Sequence, residues 1–143
     1  MIGGTGDDVL TGAAFGDLMF GGDGFDFING GFGYDRLNGG ADGDKFYHLG
    51  VSDHGSDWIQ DYTSEDGDVL LFGNSTANID QFQVNYANAE DSNGERSGDD
   101  DVQEAFVIYR PTEQIIWALV DGAGQPEINL QFAGSSDVFD LLA

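Results

Sequence analysis

The sequence predicts an all-β protein in which a coil of short repeats is closed by a β-rich C-terminal region. Three features predict it: a nine-residue period in the first third of the chain, 23 glycines, and a second half rich in β-branched and aromatic residues. Of the 143 residues, 40% are hydrophobic. That content suits one domain with a modest core and excludes two large domains.

The nine-residue units begin at Gly3 and keep two columns in register. Five units follow one another directly, and a sixth begins at Ser52 after four inserted residues. The sixth position is always aspartate: Asp8, Asp17, Asp26, Asp35, Asp44 and Asp57. The eighth is always apolar: Leu10, Met19, Ile28, Leu37, Phe46 and Ile59. A flexible glycine-rich linker has no reason to keep both columns, so the units predict a regular repeat structure.

Each unit combines a loop of six residues with three extended residues. Loop glycines permit the positive φ angles of a tight turn and let carbonyl oxygens crowd inward. Calcium takes six to eight oxygen ligands, and one such loop offers about half of them, so two loops must share an ion. The middle extended residue points into the core. Two units therefore make one full coil.

This pattern resembles the RTX nonapeptide repeat, a calcium-binding motif of secreted bacterial proteins. The resemblance implies a right-handed parallel β-roll with calcium between loops two units apart, roughly four ions in all. It places Asp8, Asp26 and Asp44 on one edge, and Asp17, Asp35 and Asp57 on the other. The further expected metal ligands are Gly4, Gly6, Gly22, Gly24, Gly31, Gly33, Gly40, Asp42 and Asp61. Phe15 and Asp42 replace a usual fourth-position glycine, and Ala13 a second-position one.

The predicted division is a calcium-binding roll over 1–62 and a β-rich capping region over 63–143. The segment 57–72 resembles the stretch that closes the roll in serralysin-type proteases. That resemblance implies that Asp61 helps bind the last ion; the alternative is a solvated turn residue.

The capping region is predicted to consist of strands, because it is rich in β-branched and aromatic residues. The predicted strands are 82–86, 105–110, 114–121 and 127–132, with a hairpin at 110–113. Trp117 is expected in the core. The polar run 90–101, with Asp99, Asp100 and Asp101, is either an additional cation site or a loop.

Both chain ends carry functional expectations. The segment 137–143 is acidic and apolar and resembles the uncleaved C-terminal signals of type I secretion substrates; the alternative is a last strand packed on the cap. Because the chain opens inside a repeat, we expect an upstream domain of a larger protein. The resemblance implies a secreted, extracellular bacterial protein with the type I secretion machinery as a partner.

Composition narrows the possible partners and chemistry. The 27 acidic residues against four basic ones give a formal charge of -23, which disfavours nucleic acid and anionic membranes. No apolar run is long enough to insert in a membrane, and no cysteine is present. Neither the spacing of His48 and His54 nor any nucleophile motif predicts a zinc site or a hydrolase. The chain is not expected to be an enzyme.

Aromatic residues at outward positions keep a second function open. They are Phe25, Phe27, Phe32, Tyr34 and Trp58. Such a patch can stack on sugar rings or bind a partner, unless the cap, an upstream domain or a second copy covers it. The first hypothesis is a calcium-dependent folding and secretion module. The alternatives are a carbohydrate-binding module, similar to the RTX parts of alginate epimerases, and an adhesin segment.

Overall fold

The protein is an all-β chain, as predicted. The computed structural model describes residues 2–12, 16–49, 55–75, 77–87 and 103–142. In these ranges there are short 3-10 turns but no α-helix. The strands are β1 (Ile2–Gly4), β2 (Val9–Thr11), β3 (Leu18–Gly22), β4 (Phe27–Asn29), β5 (Arg36–Gly40), β6 (Lys45–His48), β7 (Asp57–Ile59), β8 (Val69–Phe72), β9 (Phe82–Ala87), β10 (Glu104–Tyr109), β11 (Gln114–Leu119), β12 (Asn129–Phe132) and β13 (Val138–Asp140).

Successive repeat strands alternate between two parallel sheets. The first sheet begins β1-β3-β5-β7, and the second contains β2, β4, β6 and β8 side by side. Strands one coil apart pair in register, so that Leu10 lies beside Ile28 and Ile28 beside Phe46. The result is a parallel β-solenoid of about three turns. Its right-handedness stays a prediction.

The apolar eighth position of each unit forms the core of the coil. Met19, Ile28, Leu37, Phe46 and Ile59 are fully buried between the two sheets. Their neighbours on the same strands point outward, as the alternation of strand side chains requires. Burying each such side chain stabilises the fold by about 1.5–3 kcal/mol. Burial of the apolar eighth-position residues thus holds the two sheets of the coil together.

The C-terminal region caps the coil by extending both sheets. β11 pairs parallel with β7, and β10 and β9 follow antiparallel, which confirms the predicted hairpin. β12 pairs parallel with β8, and β13 lies antiparallel on its outer side. Phe72 forms the centre of an aromatic cluster with Phe82, Tyr109, Trp117 and Phe132. Trp117 is fully buried, as expected.

Several sequence features lie outside the described residues. They are Ala13 and Phe15 in the second unit, His54 in the sixth, and the polar run 90–101 with its three aspartates. Within the tail, Val138–Asp140 forms β13, which pairs with β12 of the cap. Its role as a secretion signal stays a prediction. In the described ranges, no helix is long and apolar enough to cross a bilayer.

Candidate metal centre

The repeat aspartates stack in two columns along the coil. On one side, called edge A, Asp8, Asp26, Asp44 and Asp68 follow one another. The backbone N–H of Asp8 donates to Asp26 Oδ1, that of Asp26 to Asp44 Oδ1, and that of Asp44 to Asp68 Oδ1, each at 2.9 Å. One carboxylate oxygen of each later aspartate therefore ties its loop to the loop one coil before.

The opposite side, called edge B, carries Asp17, Asp35 and Asp57. The N–H of Asp17 donates to Asp35 Oδ1 at 2.7 Å, and the N–H of Trp58 donates to the Asp35 carbonyl at 2.7 Å. Because consecutive units lie half a coil apart, the aspartate columns separate onto the two edges. The same spacing that builds the core therefore builds two lines of carboxylates.

The second oxygen of most of these carboxylates is buried without a hydrogen-bond donor among the described residues. These atoms are Asp8 Oδ2, Asp26 Oδ2, Asp35 Oδ2, Asp44 Oδ2 and Asp57 Oδ1. A buried carboxylate oxygen with no partner is costly, and such a group in a native protein calls for a proton or a bound ion. The chain has only four basic residues to offset its acids. These carboxylate oxygens are thus suited to bind a cation.

Backbone carbonyls converge on the same places as these oxygens. A Cβ added at Gly3 would lie 2.7 Å from Asp8 Oδ2 and 2.6 Å from the carbonyl oxygen of Gly21 in the next coil. A Cβ added at Gly12 would likewise lie close to Asp17 Oδ2 and to the carbonyl oxygen of Gly30. The first-position glycines therefore bring a carboxylate and a carbonyl of the next coil together. These first-position carbonyls were not among the expected ligands, although glycine at this position of five units marks them.

Several expected ligands lie in the loops with left-handed backbone conformations. Gly22 and Gly40 have φ of 97° and 89°, and Asp42 adopts φ of 69° in place of the usual fourth-position glycine. Aspartate tolerates this conformation better than most residues do. The Asp42 carboxylate accepts the N–H of Gly24 at 3.2 Å. The carbonyls of Gly4 and Gly22 each accept an N–H from the next coil.

The remaining expected loop ligands share this backbone geometry. Gly6, Gly24, Gly31 and Gly33 all have positive φ, between 83° and 110°. A side chain at such a position is strained, so glycine is the residue that fits it.

Asp61 and Asp68 close edge A at the cap. The Asp61 carboxylate accepts the N–H groups of Gly39 and Gly40, both at 2.8 Å. Asp68 accepts the N–H of Asp44 with Oδ1 and that of Thr63 with Oδ2, both at 2.9 Å. Asp61 is thus bonded to the roll, and its role as a metal ligand stays a prediction. Sequence reasoning missed Asp68, although the run 68–70 repeats the aspartate-x-apolar spacing of 44–46.

Burial raises the pKa of several carboxyl groups in the two columns. It raises the pKa of Asp44 to about 7, and the nearby Asp68, Asp26 and Asp61 add to the rise. Burial, followed by the charge of Asp35, raises the pKa of Asp57 to about 9. For Asp68 the same desolvation gives a pKa of about 6. Negative charge is therefore disfavoured at these carboxyls unless something neutralises it.

Burial also raises the pKa of Asp26 and Asp35, although each accepts a backbone N–H that acts in the opposite direction. The whole donor set consists of carboxylate and carbonyl oxygens, which suit a hard cation such as calcium. Among the described residues, no three His, Cys, Asp or Glu side chains gather at one point. Any cation here must therefore take much of its shell from backbone carbonyls.

The histidine in the described ranges belongs to the core. His48 is buried, its Nε2 lies 2.9 Å from the carbonyl oxygen of Gly55, and its ring meets the edge of Trp117. The Gly55 carbonyl also accepts from the side chain of Gln114. These contacts give His48 a structural role between the sixth loop and the cap.

The outward aromatic residues differ in how far they are covered. Phe25 is 64% exposed and Tyr34 72% exposed. Trp58 is half-buried, because its ring packs edge-on against Phe106 of the cap at a centroid distance of 6.0 Å. Phe27 is half-buried and lies 5.4 Å from the ring of Tyr47. The cap therefore covers Trp58 in part and leaves Phe25 and Tyr34 open.

Comparison of the chain with protein-family models finds no match. Comparison with curated proteins likewise finds none.

Proposed function

We propose that this chain is a calcium-binding RTX module that folds when it binds extracellular calcium. The observation that carries the proposal is the set of buried carboxylate oxygens, in two columns, for which the described residues supply no donor. The residues that would hold calcium are the column aspartates, with carbonyls of the glycine-rich loops completing the shell. Calcium would supply positive charge to loops that otherwise repel one another.

Cation binding and folding are coupled in this proposal because the ligands come from successive coils. Asp26 Oδ2 belongs to one coil, whereas the neighbouring Gly39 carbonyl belongs to the next. An unfolded chain does not hold these oxygens together, so the free energy of binding contributes to folding. Low cytosolic calcium would keep the chain unfolded, and higher calcium outside the cell would fold it.

The test is a calcium titration of the chelated protein, followed by far-ultraviolet circular dichroism, with magnesium as the control ion. We expect a cooperative gain of β-structure with calcium and little with magnesium, because the smaller ion demands a rigid octahedral shell. A chelated protein that already has its full β-structure would reduce calcium to an accessory and contradict the proposal.

A matched pair of variants locates the binding. Asp26→Asn keeps an oxygen that can accept the N–H of Asp8 but removes one negative charge from edge A. Glu127→Gln removes one charge from an exposed residue. We expect Asp26→Asn to raise the calcium midpoint about tenfold, as the loss of about 1.4 kcal/mol of binding would, and Glu127→Gln to leave it unchanged. Equal shifts would show that net charge, rather than the column, sets the response.

The second part of the proposal is that the module supports type I secretion and the stability of a larger secreted protein. The support is the acidic and apolar tail over 137–143. In the folded chain the tail is engaged: Leu141 donates its N–H to the Ile128 carbonyl, and Asp140 accepts the N–H of Ile128. These bonds hold the backbone of the tail, whereas the side chains of Val138, Phe139 and Leu142 stay exposed.

Export of a fused partner by a type I exporter tests the secretion part. We expect export to fall when 137–143 is replaced by a scrambled sequence of the same composition. The calcium-loaded fold of the variant is checked separately by circular dichroism. Undiminished export of the scrambled variant would refute the secretion part and leave calcium-coupled folding untouched.

A further inference from the structure

The outward face of the second sheet combines aromatic and polar side chains in register. The outward residues of β2, β4 and β6 are Val9, Thr11, Phe27, Asn29, Lys45 and Tyr47. None of them is acidic, although the chain carries 27 acidic residues. The Phe27 and Tyr47 rings lie side by side in the middle of this face, 5.4 Å apart and tilted by 35°.

Two concavities lie on this face, one on each side of the ring pair. The first, of about 290 Å³ towards edge A, is lined by Val9, Phe25, Phe27 and Lys45. Asp7, Asp8 and Asp26 line its end at edge A. The second, of about 450 Å³ towards edge B, is lined by Thr11, Asn29, Phe32 and Tyr47. Both use outward side chains of the same three strands. Together they form one track along the strand direction, called here the aromatic track.

Hydrogen bonds hold the loops that carry the outer rings of the track. The Asp7 carboxylate accepts the N–H of Phe25 at 2.8 Å, and the Asn29 side chain accepts the N–H of Gly31, next to Phe32, at 3.0 Å. Phe25 and Phe32 nevertheless remain 64% and 50% exposed. Large rings held in place yet open to solvent are typical of a binding surface rather than of a core.

The chemistry of the track points to a neutral, hydroxyl-rich ligand. Aromatic rings cover the C–H faces of such a ligand, while Lys45 and Asn29 can donate to its hydroxyl groups and Asp7 can accept from them. The carboxylates of Asp7, Asp8 and Asp26 in the first concavity and the formal charge of -23 disfavour an anionic polymer. The same charge on both partners disfavours a second copy of the chain. We propose that the aromatic track binds a neutral linear oligosaccharide, with one sugar in each concavity.

Affinity electrophoresis of the calcium-loaded protein tests the proposal. The gels contain hydroxyethylcellulose, galactomannan, dextran or, as the anionic probe, alginate. We expect at least one neutral polymer to retard the protein and alginate not to. Titration calorimetry with a hexasaccharide of the retarding polymer then gives the affinity. We expect Phe25→Ala and Phe32→Ala each to weaken it roughly two- to tenfold.

Tyr34→Ala is the matched control, because Tyr34 is an exposed ring that lines neither concavity. The affinity of Tyr34→Ala for the hexasaccharide should equal that of the wild type, and Phe25→Trp should retain binding. Lack of retardation by every neutral polymer would overturn the proposal, as would an equal loss in Tyr34→Ala. So would a dimer in light scattering that Phe25→Ala dissociates, because a second copy would then cover the track. Saturating calcium and a circular dichroism check separate these outcomes from a failure to fold.

Discussion

Edge A and edge B of the roll repeat the same motif but end differently at the cap. On edge A the last aspartate, Asp68, has both carboxylate oxygens bonded to backbone N–H groups. On edge B the last aspartate, Asp57, is 1% exposed and keeps Oδ1 without a donor among the described residues. It lies beside Trp117 of β11 and next to Asp35 in its own column.

The repeat motif therefore sets the position of a carboxylate, whereas its surroundings set whether it needs a neutralising partner. Backbone donors partly replace the lost hydration of Asp68, so that its pKa rises only to about 6, whereas burial and a like charge raise the pKa of Asp57 to about 9. Edge B therefore depends more on a neutralising cation or proton than the cap end of edge A does.

Alanine at the closely packed loop glycines should cause the greatest loss of stability, and the loss should be the same on the two edges. A methyl group at Gly40 would run into the Gly22 carbonyl, and one at Gly55 into the Gly33 carbonyl, both at positive φ. We expect Gly40→Ala and Gly55→Ala each to lower the unfolding free energy in calcium by more than about 3 kcal/mol. Urea denaturation measures the loss.

Gly4→Ala is the control for backbone strain alone. It has φ of 98°, but no described atom lies within 4 Å of the added methyl. The loss should be about 1–2 kcal/mol. A loss at Gly55 as small as that at Gly4 would show that the loops on edge B do not stack as those on edge A do.

The second prediction is that two substitutions change the unfolding free energy in chelator in opposite directions. Asp57→Asn removes a buried carboxyl whose charged form is disfavoured, so the cation-free fold should gain about 1–3 kcal/mol at pH 8. Asp68→Asn leaves one of two backbone N–H groups without its acceptor and should lose about as much. Osmolyte-induced folding in chelator measures both. A loss of stability in both variants would mean that both carboxyls stabilise the cation-free fold.

In saturating calcium Asp57→Asn should lower the stability of the fold instead of raising it, because the substitution removes a proposed ligand. The thermal midpoint should then fall below that of the wild type. If it stays above the wild type in calcium as well, Asp57 is not a ligand and edge B ends in a purely structural carboxyl.

The third prediction concerns pH. The pKa values of Asp57, Asp44 and Asp68 are raised to about 9, 7 and 6 from an ordinary value of 3.8. The folded chain therefore holds protons that the unfolded chain releases, and the stability they contribute is full below about pH 4 and lost as pH rises through about 6 to 9. Circular dichroism in chelator should show β-structure at acidic pH that disappears across this window.

Asp57→Asn should affect the upper part of that window only. We expect the midpoint of unfolding in chelator to move upward by roughly one pH unit, which corresponds to about 1.4 kcal/mol. Asp137→Asn, an exposed carboxyl of the tail, serves as the control and should leave the midpoint in place. An unchanged midpoint in Asp57→Asn would locate the pH response on edge A.

Substitution of Asp61 on edge A should change the stability least. Its carboxylate is half-buried and accepts two N–H groups, so Asp61→Asn should cost about 0.5–1.5 kcal/mol in chelator and in calcium alike. A calcium midpoint that also rises tenfold would make Asp61 a ligand of the last ion. Thermal unfolding at two calcium concentrations separates the two roles.

Much of the roll follows from the local sequence. The aspartate and apolar columns place Asp8 and Leu10 of the first unit, and Asp57 and Ile59 of the sixth, where the structure has them. Sequence reasoning missed Asp68, because it follows Asp57 by 11 residues instead of nine. The segment between them contains a 3-10 turn at Ser64–Asp66. The period ends there, although the aspartate column continues for one more coil.

The period, the residues that point inward and the two lines of carboxylates all follow from the amino-acid sequence. Those properties repeat at short range and depend only on neighbouring units, as in any solenoid. Which carboxylate oxygens are buried without donors among the described residues, and how β11 and β12 close the coil, depend instead on the folded structure. Those outcomes depend on contacts such as Trp117 with Asp57, between residues 60 positions apart, which no local pattern encodes.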